Sequence, residues 1–275
     1  MGASLTNANF KELPDYDNPP IDEVVCGVLF EPIRKLLVPH FGLLWEKFRH
    51  DYPSCQEVAP LVPVIESFEE LPPPEIEFPE PLPRVWFLHD DGRIIQVQRD
   101  RFLHNWRKLR PTDQYPRYRK VFQLFQSHLA TFQEFLKEVE AGPAIPRQYE
   151  MTYVNLIQQG EGWEGIADIN KVFPDFWHNG RDRFLPEPDG INWRTSFPLP
   201  ERVGRLHMHI QSARRRDDIR RLLRFEITAR GFSITDNGSL SKMQDWFELA
   251  HEWIVRGFAD YTGSLIQKEI WRLKQ

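Results

Sequence analysis

Apolar residues in the first half of the chain recur with two different periods. Runs rich in β-branched and aromatic residues predict strands at 24–30, 84–89 and 93–99. The turn residues 90–92 separate the last two runs, which is typical of a β-hairpin, and Gly27 within the first run predicts a bulge. Apolar positions at steps of three and four predict a kinked helix over 33–52 and a long helix over 115–142.

The second half repeats this order of elements. Strands are predicted at 151–158, 193–197, 205–211 and 222–230, with a short helix over 164–173 and a long closing helix from Ser241. We therefore predict an α+β fold of two tandem βαβββα-like units, 18–145 and 146–275, preceded by a flexible leader at 1–17. Each unit is expected to form an antiparallel sheet with its long helices packed on one face.

An acidic, proline-rich stretch at 69–83 interrupts the first unit. Its prolines fix φ and remove amide donors, while its glutamates repel one another. We expect this stretch to be an extended surface excursion between strands rather than a domain boundary, because the residues that follow it return to a strand pattern.

Strand alternation predicts a polar face in each half. In 205–211 the period of two turns Leu206, Met208 and Ile210 toward the helices and the intervening side chains away from them. The side chains predicted on the polar faces are Gln96, Gln98, Asp100, His207, His209, Gln211, Arg224, Glu226 and Thr228. A curved sheet with such a face forms a groove for a small ligand, a partner segment or the matching face of the other half. The alternative is a face left to water, as in many antiparallel sheets.

Composition and charge exclude several classes of protein. A net charge of -5 over 275 residues argues against coating nucleic acid through bulk charge. Cys26 and Cys55 are too few for a disulfide framework or a thiolate zinc site, which favours a reducing cytoplasm. The sequence contains no apolar run near the roughly 20 residues that cross a bilayer, so no membrane partner is expected.

Local chemistry does not define a metal or cofactor site. His207 and His209 share a face two residues apart and suit a divalent metal, but the neighbouring sequence supplies no third ligand. Neither a metal nor a cofactor is therefore predicted. Arg101, Trp106 and Arg107 lie in a basic, aromatic segment that can contact phosphates and bases. Pairing with the acidic excursion explains this segment equally well, so nucleic acid is not the favoured partner.

Several motifs stand out from these periodic patterns. They are Asn18-Pro19-Pro20-Ile21, Gln96-x-Gln98-x-Asp100-Arg101-Phe102-x-x-Asn105-Trp106-Arg107, Tyr115-Pro116-Arg117-Tyr118 and Tyr153-Val154-Asn155, with Leu249, His251, Ile254, Phe258, Thr262 and Trp271 near the end. Through them the chain resembles a family of sporadically distributed, uncharacterised bacterial and archaeal proteins of about this length. The resemblance brings no function with it. The patchy distribution of the family implies mobile genes, and with them a defence or toxin–antitoxin context by association alone.

The leading interpretation is a non-enzymatic protein that binds a small ligand or a protein partner, with a homodimer as one option. Its candidate binding residues are Gln96, Gln98, Arg101, Trp106, Arg107, His207, His209, Arg224 and Glu226. Phosphate loops, dinucleotide fingerprints and nucleophile elbows are absent from the sequence, which weakens the case for an enzyme. The alternative is a hydrolase or nuclease acting on nucleic acid or nucleotides, with a dispersed site such as Asp168, Asp175, His178 and Asp182.

Overall fold

The computed structural model describes residues 12–68, 83–176, 184–186, 188–214, 220–232 and 240–274. The strands within these ranges are β1 (Ile21–Phe30), β2 (Ser54–Val58), β3 (Arg84–Leu88), β4 (Arg93–Gln98), β5 (Arg101–Arg107), β6 (Pro146–Gln158), β7 (Asn192–Pro198), β8 (Gly204–Arg214) and β9 (Arg221–Phe232). The helices are α1 (Val38–Phe48), α2 (Tyr118–Glu138), α3 (Ile169–Val172), α4 (Leu240–Tyr261) and α5 (Ser264–Glu269).

The nine strands of the described ranges form one antiparallel sheet, in the order β2-β3-β4-β5-β1-β6-β9-β8-β7. β1 pairs with β5 on one side and with β6 on the other, so Val25 lies between Asn105 and Thr152. The α+β class and the antiparallel pairing are therefore confirmed. The two predicted units share a single sheet instead of forming one each, because β1 and β6 hydrogen-bond to each other directly. An internal duplication stays a prediction.

Both long helices pack on the same face of the sheet. Phe132 of α2 lies on Phe102 of β5, with ring centroids 5.1 Å apart. Phe247 of α4 lies 5.8 Å from Tyr149 of β6 by the same measure. The two helices also contact each other, since the rings of Phe122 and Phe247 are 5.0 Å apart. One continuous apolar core therefore extends under both halves of the chain.

The first half contains two strands, β2 and β5, that the sequence pattern did not predict. β5 carries polar residues on both faces, with His104 under α2 and Asn105 on the opposite face, and both are buried. This mixture hides the alternation of apolar and polar positions on which strand prediction depends. β5 is nevertheless near the centre of the sheet, where it pairs with both β1 and β4.

The helices are shorter than their predicted bounds, with α2 at Tyr118–Glu138 and α3 at Ile169–Val172, and two of them differ in further ways. The helix expected over 33–52 begins only at Val38, and Pro39 lies in its first turn, where a missing N–H leaves no hydrogen bond unmade. Pro39 therefore starts α1 and does not kink it. The closing helix α4 ends at Tyr261, and the chain continues into the separate short helix α5. Among the helices in the described ranges, none combines the length and apolar character that crossing a membrane requires.

The chain segment 59–68, which we call the strap, crosses the face of the sheet opposite the helices. Gln98 of β4 donates to the carbonyl of Leu61 and accepts from its N–H, at 3.0 and 2.9 Å. Gln148 of β6 donates to the carbonyl of Val64 at 2.9 Å. The strap therefore covers polar side chains from both halves. The predicted excursion at 69–83 follows the strap and, apart from Pro83, lies outside the described residues.

Gly27 occupies the middle of β1 without a bulge, so the predicted bulge is wrong. Its pairing is continuous with Leu103 on one side and Glu150 on the other. A Cβ atom built at this position would overlap with Cδ2 of Leu103. Glycine is therefore needed here because the leucine of the neighbouring strand fills the space that a side chain would occupy.

Replacing Gly27 by Ala should lower the free energy of unfolding by about 1–3 kcal/mol, because the added methyl group overpacks against Leu103. The second substitution Leu103→Ala removes the overlap. The double variant should therefore be less destabilised than the sum of the two single variants. Urea unfolding of the four proteins, followed by tryptophan fluorescence, measures this coupling, and strictly additive free energies would contradict the contact.

Candidate functional site

Gln96, a predicted site residue, belongs to a chain of hydrogen bonds among side chains on the polar face of the sheet. It donates to Asn105 at 2.7 Å, and Asn105 donates to Glu23 of β1 at 2.5 Å. The carbonyl oxygen of Gln96 accepts from the Trp86 indole at 2.9 Å and from the Arg84 guanidinium. Burial raises the pKa of Glu23, although the hydrogen bond from Asn105 opposes this. Gln96 is thus occupied by partners from the same chain.

Gln98 and Arg101 meet beneath the strap. Gln98 donates to Asp100 at 2.8 Å, and the Arg101 guanidinium donates to both carboxylate oxygens of Asp100 at 3.1 and 2.9 Å. Arg101 also donates to the carbonyl of Leu61 at 3.2 Å. All three side chains are buried. The group holds the strap on the sheet.

His207 also contacts the strap. Its Nε2 lies 2.6 Å from the buried carboxylate of Glu66, which accepts from the Arg205 guanidinium as well. His209, the second member of the predicted histidine pair, places its Nε2 2.9 Å from Asn192 Oδ1 instead. The two imidazoles therefore have separate partners and are not arranged around a common metal ion.

The remaining candidate binding residues do not lie together. Arg224 and Glu226 form an ion pair with each other on β9. Arg107 lies over the ring of Trp86 on the polar face, at 5.8 Å. Trp106 lies on the helix face instead, because neighbouring strand residues point to opposite sides, and it is buried there. The nine candidates are therefore paired within the chain in several small groups, and their role in binding stays a prediction.

The acidic residues considered for the alternative function do not form a metal site within the described residues. Asp168 forms an ion pair with Lys171 at 2.7 Å, and this contact lowers the pKa of Asp168. His178 and Asp182 lie outside the described residues. In the part of the chain that the structure describes, no three His, Cys, Asp or Glu side chains are grouped as metal ligands.

A cavity of about 360 Å³ lies on the helix face, where α2 and α4 converge above β1, β6 and β9; we call it the central cavity. Its volume is near the lower end of the range for small-molecule sites. The residues that line it are Leu13, Pro14, Asp15, Tyr16, Pro19, Ile21, Tyr115, Arg117, Tyr118, Arg119, Tyr153, Asn155, Ile227, Glu248, His251, Ile254, Val255 and Phe258.

Aromatic rings form much of the wall of the central cavity. The ring centroids of Tyr118 and His251 are 4.0 Å apart, and Tyr153 stacks on His251 at 6.1 Å with an interplanar angle of 25°. The hydroxyl groups of Tyr115 and Tyr153 share a hydrogen bond of 2.8 Å. Helices from both halves and strand β6 therefore supply one largely aromatic surface.

Two polar atoms in this wall have no hydrogen-bond partner among the described residues. They are the hydroxyl oxygen of Tyr118 and Nδ1 of His251, and both atoms are buried. An unsatisfied buried polar group costs about 1–3 kcal/mol, so most native structures avoid it. Neither atom is open to the central cavity, and Glu248 lies beside the Tyr118 hydroxyl, so both atoms belong to the packed interior of the wall.

Burial keeps the ionisable side chains of the wall in their neutral forms. It lowers the pKa of His251 to about 4 and raises the pKa of Tyr118, with Glu248 adding to the second effect. It also raises the pKa of Tyr153 well above its ordinary value, and the Tyr115 hydroxyl reinforces this shift. At neutral pH the wall therefore presents uncharged hydroxyl and imidazole groups.

The segment 13–19, which we call the covering segment, forms one side of the central cavity. Its Tyr16 is buried and donates to Gln267 Oε1 at 3.0 Å. The Tyr16 ring meets Phe258 edge-on at 5.7 Å and Trp271 at 6.3 Å. Residues 12–17 were predicted to belong to a flexible leader. The described part of that leader instead packs against the core, because its tyrosine fills a gap between α4 and α5.

Charged groups also fasten the covering segment. The Asp15 carboxylate lies 2.6 Å from the Arg117 guanidinium and 2.7 Å from the Lys274 ammonium group. The backbone N–H of Lys274 also donates to the backbone carbonyl of Asp15, at 2.8 Å. Burial acts to raise the pKa of Asp15, but Lys274 and Arg117 outweigh it, so this pKa is lowered. The covering segment is thus held by residues close to the carboxyl-terminal end of the chain.

Sequence reasoning missed the central cavity because its wall comes from elements that are far apart in the chain. Tyr115, Tyr118, Tyr153, Asn155 and His251 all belong to the motifs that carry the family resemblance. The motifs were therefore the feature of the sequence that could have pointed to the cavity. Aromatic residues at helix and strand positions are ordinary core residues, however, and nothing in their spacing distinguishes a cavity wall from a filled core.

Comparison with known proteins leaves the family assignment as a prediction. No protein-family model matches the chain, and no curated protein matches it. Among solved structures, the chain is similar to the crystal structure of DynU16, a protein from the dynemicin biosynthetic locus. The two chains share 15% sequence identity with a TM-score of 0.26, over 86% of this chain and 97% of that chain. A likeness this distant supports neither a fold nor a function.

The wild-type protein should lose stability as the pH falls from about 6.5 toward 4, and His251→Phe should lose less. The pKa of His251 is about 4 in the folded protein, whereas an unfolded histidine titrates near 6.5, so the unfolded state binds the extra proton in this window. The stabilisation that the neutral His251 imidazole provides is complete above the unfolded pKa and declines as the pH falls below it. Between about pH 7.5 and about pH 5, His251 should account for a loss of about 2 kcal/mol in the free energy of unfolding.

Urea unfolding at these two pH values measures the difference. Leu265→Phe serves as the control, because Leu265 is exposed to solvent and carries no ionisable group, so the pH dependence of unfolding should equal that of the wild type. Equal pH dependence in the wild type and in His251→Phe would show that the imidazole is not held neutral in the folded protein.

Proposed function

We propose that the protein binds a small, mainly apolar molecule in the central cavity. The observation that carries this proposal is the cavity itself, which has a volume of about 360 Å³ and a largely apolar wall rich in aromatic rings. Ligand sites typically combine apolar walls with a few polar groups that fix orientation. The polar sheet face offers less support, because its candidate residues already have partners from the same chain.

Binding without chemical conversion is the form of this function that the geometry supports best. A nucleophile or general base needs a pKa shifted toward the working pH, whereas burial moves the Tyr118 and His251 pKa values away from it. The alternative of hydrolysis or nucleic-acid cleavage has less support, since Asp168 is engaged by Lys171. We therefore propose a carrier or a sensor rather than an enzyme.

We also infer that the two halves descend from one βαβββα unit. From the centre of the sheet outward, the first half has the order β1-β5-β4-β3 with β2 as an additional edge strand, and the second half has the matching order β6-β9-β8-β7. Each half ends in a long helix, α2 or α4, on the same face of the sheet. In this arrangement the central cavity lies at the seam between the halves, where duplicated proteins commonly place a ligand.

An uncharged dye whose emission depends on polarity, 6-propionyl-2-dimethylaminonaphthalene, should bind the wild-type protein with a blue shift of its emission. Val255→Trp should weaken this binding about ten-fold or more, because Val255 lines the central cavity and the indole takes up its space. Fluorescence titration measures both affinities.

Val38→Trp is the matched control, since Val38 is an exposed residue at the start of α1 and makes no part of the cavity. It should bind the dye like the wild type. Dye affinity that is the same in Val255→Trp as in Val38→Trp would place the dye elsewhere and contradict the proposal.

A further inference from the structure

The strap belongs to a connection that is much longer than its two ends require. Residues 59–83 link β2 to β3, and Val58 at the end of β2 pairs directly with Arg84 at the start of β3. Neighbouring antiparallel strands are usually joined by about two to five residues, and connections longer than about 15 residues are uncommon and often functional. The strap can therefore leave the sheet without unpairing β2 from β3.

Side-chain amides of the sheet bind the backbone of the strap. Gln98 accepts from the N–H of Leu61 at 2.9 Å and donates to the carbonyl of the same residue at 3.0 Å. Gln148 accepts from the N–H of Glu66 at 2.7 Å and donates to the carbonyl of Val64 at 2.9 Å. Backbone groups of this kind are present in almost any sequence, so these contacts recognise a polypeptide by its main chain.

The bound part of the strap has to be nearly fully extended. Its contacts run from Gln98 on β4 to His207 on β8, and the strands between them lie about 4.8 Å apart. A chain gains at most about 3.3–3.6 Å per residue, so residues 61–66 cross this distance only when they are stretched out. The face under the strap, which we call the strap face, therefore holds a single extended segment.

Two side chains of the strap are bound at the β8 end of the strap face. The buried carboxylate of Glu66 accepts from the Arg205 guanidinium and lies 2.6 Å from Nε2 of His207. Two residues later, the ring of Phe68 has the guanidinium of Arg202 at 4.4 Å and that of Arg205 at 4.0 Å from its centre. Charge-assisted hydrogen bonds and cation–π contacts are selective for these side-chain types. This end of the face therefore selects an acidic residue followed, two positions on, by an aromatic residue.

Other side chains of the strap contribute little to its binding. Val62 is 82% exposed, Val64 is 54% exposed, and Ile65 is also exposed. Apolar groups that stay in water gain little free energy from contact with the sheet. A segment with different residues at these three positions can therefore make the same backbone hydrogen bonds and fill the same anchor positions.

We propose that the strap face is a binding site for an extended, acidic segment of another protein, and that the strap occupies this site as an internal competitor. The segment carries a Glu-x-Phe or Glu-x-Tyr sequence, which takes the places of Glu66 and Phe68. Three candidate binding residues from the sequence, Gln98, Arg101 and His207, belong to this site, and their strap contacts are those that the incoming segment replaces.

This site is independent of the central cavity, which lies on the opposite side of the sheet. A second copy of the chain is a weaker source of the segment than another protein. The strap of that copy is tethered beside its own site, where its effective concentration is in the millimolar range or about that.

The test uses a synthetic peptide with the sequence of residues 59–68, labelled with fluorescein at its amino end. The double variant Glu66→Ala with Phe68→Ala removes both anchors of the strap and leaves the sheet unchanged. It should bind the peptide about ten-fold or more tightly than the wild type, because the tethered competitor is weakened. Fluorescence anisotropy measures both affinities.

Two altered peptides show which features of the segment are recognised. A peptide with Val62→Ser, Val64→Thr and Ile65→Thr should bind the double variant within about three-fold of the original peptide, because these side chains are exposed in the strap. A peptide with Glu66→Gln and Phe68→Ala should bind about ten-fold or more weakly, because it lacks both anchors.

Substitutions in the sheet and helices locate the peptide. Arg205→Ala, added to the double variant, should weaken peptide binding about ten-fold or more, since Arg205 contacts both anchors. Arg256→Ala in the same background is the matched control, because Arg256 pairs with Glu252 on α4 on the opposite side of the sheet, and it should keep the affinity. Circular dichroism establishes that each variant is folded. If the double variant does not fold, Phe68→Ala alone takes its place and should also bind more tightly than the wild type.

The outcomes separate this inference from the proposed ligand binding. A folded strap variant that binds the peptide no more tightly than the wild type overturns the peptide site. Binding that survives Arg205→Ala, or the loss of both anchors from the peptide, overturns the Glu-x-aromatic class of partner. A wild-type dimer that the peptide converts to monomers in size-exclusion chromatography would assign the site to the strap of a second copy. None of these results changes dye binding in the central cavity.

Discussion

The backbone pairing of β1 with β6 joins the two halves of the chain, and the rest of the structure depends on it. Both strands lie at the centre of the sheet, and each connects outward to the remaining strands of its own half. This pairing puts α2 and α4 side by side on one face, where Phe122 and Phe247 touch. If the halves were joined through their outer strands instead, α2 and α4 would be separated by several strands, each about 4.8 Å from the next. The two helices could then not share a cavity.

The two faces of the sheet are held together by different interactions. On the strap side, Gln96, Gln98 and Gln148 are buried with partners from the same chain, which makes the layer rigid and specific. On the helix side, aromatic rings of α2 and α4 pack on the strands and on each other, as Phe132 does on Phe102 and Phe122 does on Phe247. The strap face therefore depends on hydrogen bonds, and the helix face depends on apolar contact.

Periodic patterns predicted most of the second half, because its strands alternate cleanly. In β8, Leu206, Met208 and Ile210 are buried as predicted, while His207 lies on the other face. The first half was harder, since β5 buries polar residues on both faces and β2 is a short exposed edge strand. The register that brings β1 and β6 together has no local signal in the sequence, so neither the single sheet nor the cavity at its seam could be predicted.

The covering segment ties access to the cavity to contacts between parts of the chain that are more than 250 residues apart. Tyr16 and Asp15 are anchored to Gln267 and Lys274, so their hold depends on the packing of α5 and the residues after it. The width of the cavity opening therefore depends on a short piece of backbone and not on the sheet or the long helices. Substitutions at a few contacts of this edge can change the opening while the lining that the sheet and the long helices supply stays the same.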